Sequence, residues 1–388
     1  VTSPEAPVSP RMDQFARRRK AVLGSVLGLI VLGVSGLVLL GVATSRVGIE
    51  AVLVGALAAL LPVVPVVGAF LWVDRWEPEP ARLLLAAFLW GACGATASAL
   101  LVNDTAQHLG EILLGRGEGD LVTSVISAPL VEEAGKGLFV VALLWRRRHE
   151  FDGIVDGIVY SGLVAAGFAF TENIFYFGRA FAEYGLGSLS TGVVAVFILR
   201  GLLSPFAHPL FTVMLGIGAG IAASSSNRAV KVLAPLAGYL LAVTLHALWN
   251  GAATFGGGLG FLNVYFAIMF PIFLATAALV IWQRRREQRV VAGELPEMAR
   301  MGWIAPSEVK LLSTLPGRRW WRNAVHKRSG ERASQAVAEY QVAVTELAFL
   351  RHRIGAGPAA RELSERHTEL LTALHRARDI ASGSPAGA

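Results

Sequence analysis

Charge is what this sequence has least of. Only 16% of its 388 residues are Asp, Glu, Lys or Arg, and 54% are hydrophobic, whereas about a quarter of a soluble protein is charged. The deficit, gathered into long apolar runs, excludes an ordinary soluble globule. Cysteine is limited to Cys93, which rules out an intrachain disulfide. No internal repeat is evident, so the chain lacks the duplicated halves that many transporters show. A His-Glu-x-x-His zinc motif is missing too: the run from His149 and Glu150 has no second histidine.

Long apolar segments are what the chain does have. Windows of roughly 20 apolar residues, enough to cross a ~30 Å hydrocarbon core, lie at 21–43, 51–73, 82–102, 121–145, 153–177, 190–222, 232–255 and 261–282. They predict an all-α polytopic membrane protein with about eight transmembrane helices. The first run is too long for a signal-peptide core and reads as an uncleaved anchor. The sixth is overlong, and Arg200 inside it raises the question of a re-entrant turn ahead of the true span.

Basic residues cluster in every second loop. Arg17 to Lys20, Arg75 and Arg82, Arg146 to Arg148, Arg228 and Lys231, and Arg284 to Arg289 alternate with loops holding only Arg46, Arg116 and Arg179. This asymmetry predicts both termini on the cytoplasmic side. It also accounts for the net charge of +7 without a nucleic-acid partner. Arginine outnumbers lysine among many Ala and Gly residues, as in a GC-rich bacterial genome, so the expected location is a bacterial cytoplasmic membrane.

Three regions are expected. Residues 1–16 read as a disordered Pro/Ser-rich tail, 17–283 as the transmembrane domain, and 284–388 as a cytoplasmic tail. In the tail, Val337, Tyr340, Val344, Leu347 and Ile354 keep helical spacing, as do Leu363, Leu370, Leu374 and Ala377. The Gly-Ala-Gly-Pro at 355–358 between them breaks the helix, which predicts a helical hairpin over about 333–380 and a docking role for a cytoplasmic partner. Trp320 and Trp321, set among arginines, suit either a headgroup layer or a packed loop.

Against this apolar background a few ionisable residues stand out, since a charge at the centre of a span costs roughly 2.5–3.5 kcal/mol on insertion scales. The fourth span holds Glu132 and Glu133, with Lys136 one turn on from both. A structural ion pair needs only one glutamate and the lysine, which leaves a second carboxylate for taking a proton. Glu172 and Asn173 lie in the fifth span, His208 and Thr212 in the sixth, and His246 and Asn250 in the seventh. Each alone fits a helix–helix hydrogen bond. Together they occupy four consecutive spans at depths that allow one shared cavity. Glu133, for example, lies ~18 Å into its helix at 1.5 Å per residue. Two imidazoles with carboxylates are the ligand types of an open zinc site, and a spare glutamate beside it suits metal-assisted hydrolysis.

Other protease patterns fail. Gly-Val-Ser-Gly at 33–36 stands alone in the first span, and Gly-Glu-Gly-Asp at 117–120 falls in a polar loop without an intramembrane Tyr-Asp partner.

Glu-Glu-x-x-Lys (Glu132, Glu133, Lys136), Phe-x-x-x-Glu-Asn (Phe168, Glu172, Asn173), His-x-x-Phe-Thr (His208, Phe211, Thr212) and His-x-x-x-Asn (His246, Asn250) resemble the motif series of PrsW-family intramembrane proteases. That family is distantly similar to the CAAX-prenyl-protease and bacteriocin-processing group. The resemblance covers roughly 50–283 and leaves the tail unexplained. It implies cleavage of a single-pass membrane protein near the extracytoplasmic face, an anti-sigma factor in PrsW-type members. It also implies zinc on His208 and His246 with Glu172 as third ligand, Glu133 assisted by Glu132 as base, Lys136 holding the charge, and Asn250 donating to the oxyanion. A version without metal keeps Glu133 as base and gives the oxyanion to His246 and Asn250. Two other readings use the same residues: a proton- or ion-coupled transporter or channel, and an inactive scaffold for a partner helix.

Overall fold

The structure is a computed structural model that describes residues 10–115, 118–147, 150–355, 367–368, 370–372, 374 and 378. Side chains are described from Val26 onward, apart from those of residues 118 and 353–355. Among the described residues every named element is helical, and seven helices are long and apolar enough to cross a membrane. The helix over 118–146 is not one of these seven. It is the expected fourth span, and Glu132, Glu133 and Lys136 are the charges that interrupt its apolar character.

The helices follow in order. They are α1 (Pro10–Val47), α2 (Ile49–Val73), α3 (Ala81–Leu114), α4 (118–146), α5 (Ile154–Tyr184), α6 (192–203), α7 (Ala207–Ser224), α8 (Arg228–Phe255) and α9 (Gly257–Arg300). Helix α1 is already helical at Pro10, inside the segment expected as a disordered tail; residues 1–9 lie outside the described ones. The overlong sixth window proves to be two helices, with a non-helical break at Ser204–Phe206. Pro205 in that break removes a backbone donor and disfavours helix at the residue before it.

Wide π turns occur at Trp90–Ala95, Thr123–Ser127, Ile198–Leu203 and Tyr265–Met269. Such turns recur at functional sites. Side chains serve carbonyls that these turns loosen. Thr96 Oγ1 donates to the Gly91 carbonyl at 2.8 Å, and Ser204 Oγ to that of Leu199 at 2.7 Å.

The chain forms two compact units. The first comprises the chain up to Phe70 together with Ala81–Pro271, and its axis is α5, of whose most apolar window 78% is buried. Helices α5 and α7 cross where Gly157 faces Gly216: a Cβ on either would strike the backbone of the other. Small residues at a crossing let membrane helices approach closely, which is where their packing energy comes from.

The second unit is Leu71–Pro80 with the chain from Ile272 onward. Trp76, from one of the basic loops, is buried there with Val291, Leu295, Met298, Tyr340, Val344 and Leu347. A helix hairpin forms ahead of the one expected over about 333–380. Helices α10 (315–329) and α11 (331–355) meet at Gly330, whose φ of 81° is left-handed. They run side by side, since Ser334 donates to the Arg322 carbonyl and Gln341 to that of Arg318. Leu370 and Leu374 join the same core. Most of the expected Gly-Ala-Gly-Pro turn lies outside the described residues.

Candidate active site

Helical spacing puts Glu132, Glu133 and Lys136 on one side of α4, where all three are buried: Glu133 and Lys136 at 0% exposure, Glu132 at 7%. Lys136 Nζ donates to Glu133 Oε1 at 2.8 Å and to Glu132 Oε2 at 3.4 Å. The ammonium also lies 3.1 Å from His208 Nδ1 and 4.0 Å from the centre of the Phe168 ring. Buried charges need partners inside the protein, and Lys136 supplies one positive charge to two carboxyl groups.

Helix α7 contributes His208 and, one turn on, Thr212. The threonine hydroxyl donates to Glu133 Oε2 at 2.8 Å. His208 Nε2 is 2.7 Å from Glu172 Oε2 on α5. Helix α8 brings His246, whose Nδ1 is 3.0 Å from Glu133 Oε1 and whose Nε2 is 3.9 Å from Glu132 Oε2. Aromatic rings wall the imidazoles: Phe211 stacks on His246 at 5.0 Å, and the two histidine rings meet edge-on at 5.2 Å.

The two glutamates therefore have different surroundings. Glu133 accepts from Lys136, His246 and Thr212, whereas Glu132 has only Lys136 and the more distant His246. The carboxylate grouped with both imidazoles is Glu132, not the Glu172 that the sequence suggested as third ligand. One ligand atom each from Glu132, His208 and His246 lies within 4.8 Å of the others. Glu172 instead forms an ion pair with Arg200 and holds the outer nitrogen of His208.

Asn250 is also placed differently from expectation. It lies one turn from His246 as expected, but its amide donates to the Ser124 carbonyl at 2.8 Å, tying α8 to the π turn that leads into the Glu132 helix. Asp120, from the rejected Gly-Glu-Gly-Asp match, accepts from Gln107 at 2.6 Å and sits in a helical turn rather than a loop.

Sequence reasoning raised Arg200 only as a topological puzzle. Its guanidinium reaches across to α5, donating to Asn173 Oδ1 at 2.7 Å and lying 3.9 Å over the Tyr176 ring. A cleft lined by Asn173, Arg200, Ser204, Pro205, His208 and Trp249 opens at this point, beside the helix break. An arginine in an overlong apolar window just ahead of a proline was the clue to it.

The donor set is one that could hold a metal ion. Each imidazole has one nitrogen engaged by a carboxylate outside the trio, Glu133 for His246 and Glu172 for His208, and the other turned to the Glu132–Lys136 pocket. Carboxylates placed behind histidines in this way orient metal ligands, and two histidines with one glutamate make a known catalytic zinc set.

Residues 79–276 match the family model described as PrsW family intramembrane metalloprotease. The chain is 31% identical over 195 residues to protease PrsW of Geobacillus kaustophilus, covering 50% of this chain and 76% of that protein. It is 33% identical over 161 residues to protease PrsW of Clostridioides difficile, covering 40% and 62%. With protease PrsW of Bacillus subtilis the identity is 27% over 220 residues, covering 56% and 88%. No solved structure matches.

Proposed function

This chain belongs to the PrsW family of intramembrane proteases, and from that premise we propose that Glu132, Glu133, Lys136, His208 and His246 form its hydrolytic centre. It is a multi-pass bacterial membrane protein whose substrates are other proteins of the bilayer. The reading proposed is endoproteolysis of a single-pass protein near the extracytoplasmic face, and a membrane-anchored anti-sigma factor is the substrate to test first.

The observation that carries this is the convergence of α4, α7 and α8. An acidic pair, an ammonium and two imidazoles from three helices are joined through Lys136 and Glu133 by contacts of 2.8 to 3.4 Å, in a pocket walled by aromatic rings. Glu132, His208 and His246 would hold a zinc ion. Bound there, it would polarise the scissile carbonyl and make a water nucleophilic at neutral pH.

The chain's own residues divide the remaining work. Glu133 receives the proton of the attacking water, on a carboxylate whose charge Lys136 balances. The proton that Glu133 takes from the water is returned by the same carboxyl group to the leaving amine. His246 is kept facing the trio by its bond to Glu133. Thr212 holds the second oxygen of Glu133, so the carboxylate cannot rotate away. Asn250 acts as a positioning residue for the turn that starts the Glu132 segment.

The test is cleavage of a co-reconstituted single-pass protein, with the new N-terminus sequenced. Wild-type enzyme should cut, and E132Q and E133Q should not while accumulating as folded protein. Undiminished cleavage by both variants would remove the assignment.

A further inference from the structure

We propose that Arg200 is a positioning residue for the reaction: through Glu172 it fixes which nitrogen of His208 faces the hydrolytic centre. The inference rests on the reading of the site given above and adds a residue outside all four sequence motifs.

Arg200 is held at three points on one face of α5. Its Nη2 pairs with Glu172 Oε2, its Nε donates to Asn173 Oδ1 at 2.7 Å, and its plane covers the Tyr176 ring. The π turn carrying it is clamped as well. Ser204 caps the Leu199 carbonyl at 2.7 Å, and the Tyr265 hydroxyl donates to that of Leu203 at 2.7 Å. A guanidinium bonded through two of its nitrogens and stacked on a ring is a fixed charge rather than a mobile one.

The oxygen that Arg200 binds is the one that His208 reaches. Glu172 Oε2 lies 2.7 Å from His208 Nε2, and His208 Nδ1 lies 3.1 Å from Lys136 Nζ. An ammonium only donates, so Nδ1 is the accepting nitrogen and the ring proton resides on Nε2, given to Glu172. A neutral imidazole presents one lone pair, and the bond made by its other nitrogen decides where. Glu172 thus turns the His208 lone pair inward, and Arg200 keeps Glu172 in place. Without Arg200, this carboxylate, about a fifth exposed, is free to swing toward the cleft.

The experiment uses full-length protein in bilayers with 15N-labelled histidine, H208Q supplying the assignment. Zinc affinity, by competition with a chromophoric chelator, and cleavage kinetics are measured alongside. Wild-type His208 should show the Nε2-protonated tautomer. R200Q should show mixed tautomers, zinc affinity lower by ~10- to 100-fold, and a lower kcat with KM unchanged. E172Q should do the same, and R200Q/E172Q should be no worse than either single variant. R200K, which keeps a cation beside Glu172, should retain the wild-type tautomer.

Wild-type tautomer and zinc affinity in R200Q would overturn the proposal, as would losses that multiply in the double variant. Equal loss in R200K and R200Q would assign Arg200 to packing of the broken helix instead. Should R200Q fail to accumulate, E172Q decides: an unchanged His208 tautomer there refutes the relay. Failure of the hydrolytic reading is distinguishable, because full cleavage by E133Q would sink that reading while the tautomer still reports on Arg200.

Discussion

His246 holds its Nδ1 3.0 Å from Glu133 Oε1, a contact between residues 113 apart in the chain. The same oxygen takes the Lys136 ammonium at 2.8 Å. One carboxylate oxygen thus binds a helix from the start of the site to a helix from its end. A change at Glu133 therefore acts on proton transfer and on the aim of an imidazole together.

E133Q should lower the cleavage rate on the order of 100- to 10,000-fold, the range for loss of a general acid–base group. E132Q should lower both rate and metal content. Initial rates with a reconstituted single-pass substrate measure the first effect. A loss of less than threefold in E133Q, at equal folded protein, would take Glu133 out of the chemistry.

Metal content separates the ligand trio from its supports. Purified wild-type protein should carry close to one zinc per chain by elemental analysis, and the H208A/H246A double variant close to none. T212V, which removes only the hydroxyl holding Glu133 Oε2, should keep its zinc and lose part of its rate. A double variant with wild-type zinc would remove both histidines from the ligand set.

Packing of the membrane unit is tested at Gly157. G157A places a Cβ against the backbone of Gly216, and overpacking of this kind costs typically 1–3 kcal/mol. The detergent-solubilised protein should melt at a lower temperature. An unchanged melting temperature would show that α5 and α7 have room to part.

In the tail, Tyr340 is buried and donates to Glu308 Oε2 at 2.6 Å, and burial together with that carboxylate raises its ionisation well above the usual phenol range. The folded tail then keeps this proton where the unfolded chain loses it. Stability from this group is complete below the normal tyrosine pKa of about 10 and falls as pH rises beyond it. Arg318, buried and lowered to about 10, works in the opposite sense over the same range. The comparison is therefore between wild type and Y340F: hydrogen exchange over 331–355 should lose part of its alkaline sensitivity in the variant. Identical pH profiles would exclude Tyr340 as the cause.

Much of this was legible in the sequence because membrane helices obey length and spacing. Spans at 51–73 and 232–255, and the pairing of residues one turn apart, follow from the 3.6-residue period alone. What was not legible depends on rotation between helices. Spacing cannot say that Glu132 rather than Glu172 joins both imidazoles, since that is set by how α4 and α5 turn about their axes. Nor does it show that the Asn250 amide is spent on Ser124, because the loosened carbonyl exists only once the π turn has formed. The tail also bends at Gly330, where one glycine among polar residues gave little warning; most of the expected Gly-Ala-Gly-Pro turn lies outside the described residues.

The crossing of α5 and α7 at Gly157 and Gly216 behaves as the rivet of a pair of shears. Glu172 and His208 ride on the two blades, with His208 eight residues, or about 12 Å, from the rivet along α7. A methyl group added at Gly157 presses on the backbone of the helix that carries His208, so its effect on cleavage reads the packing beneath the site without altering any group that takes part in the chemistry.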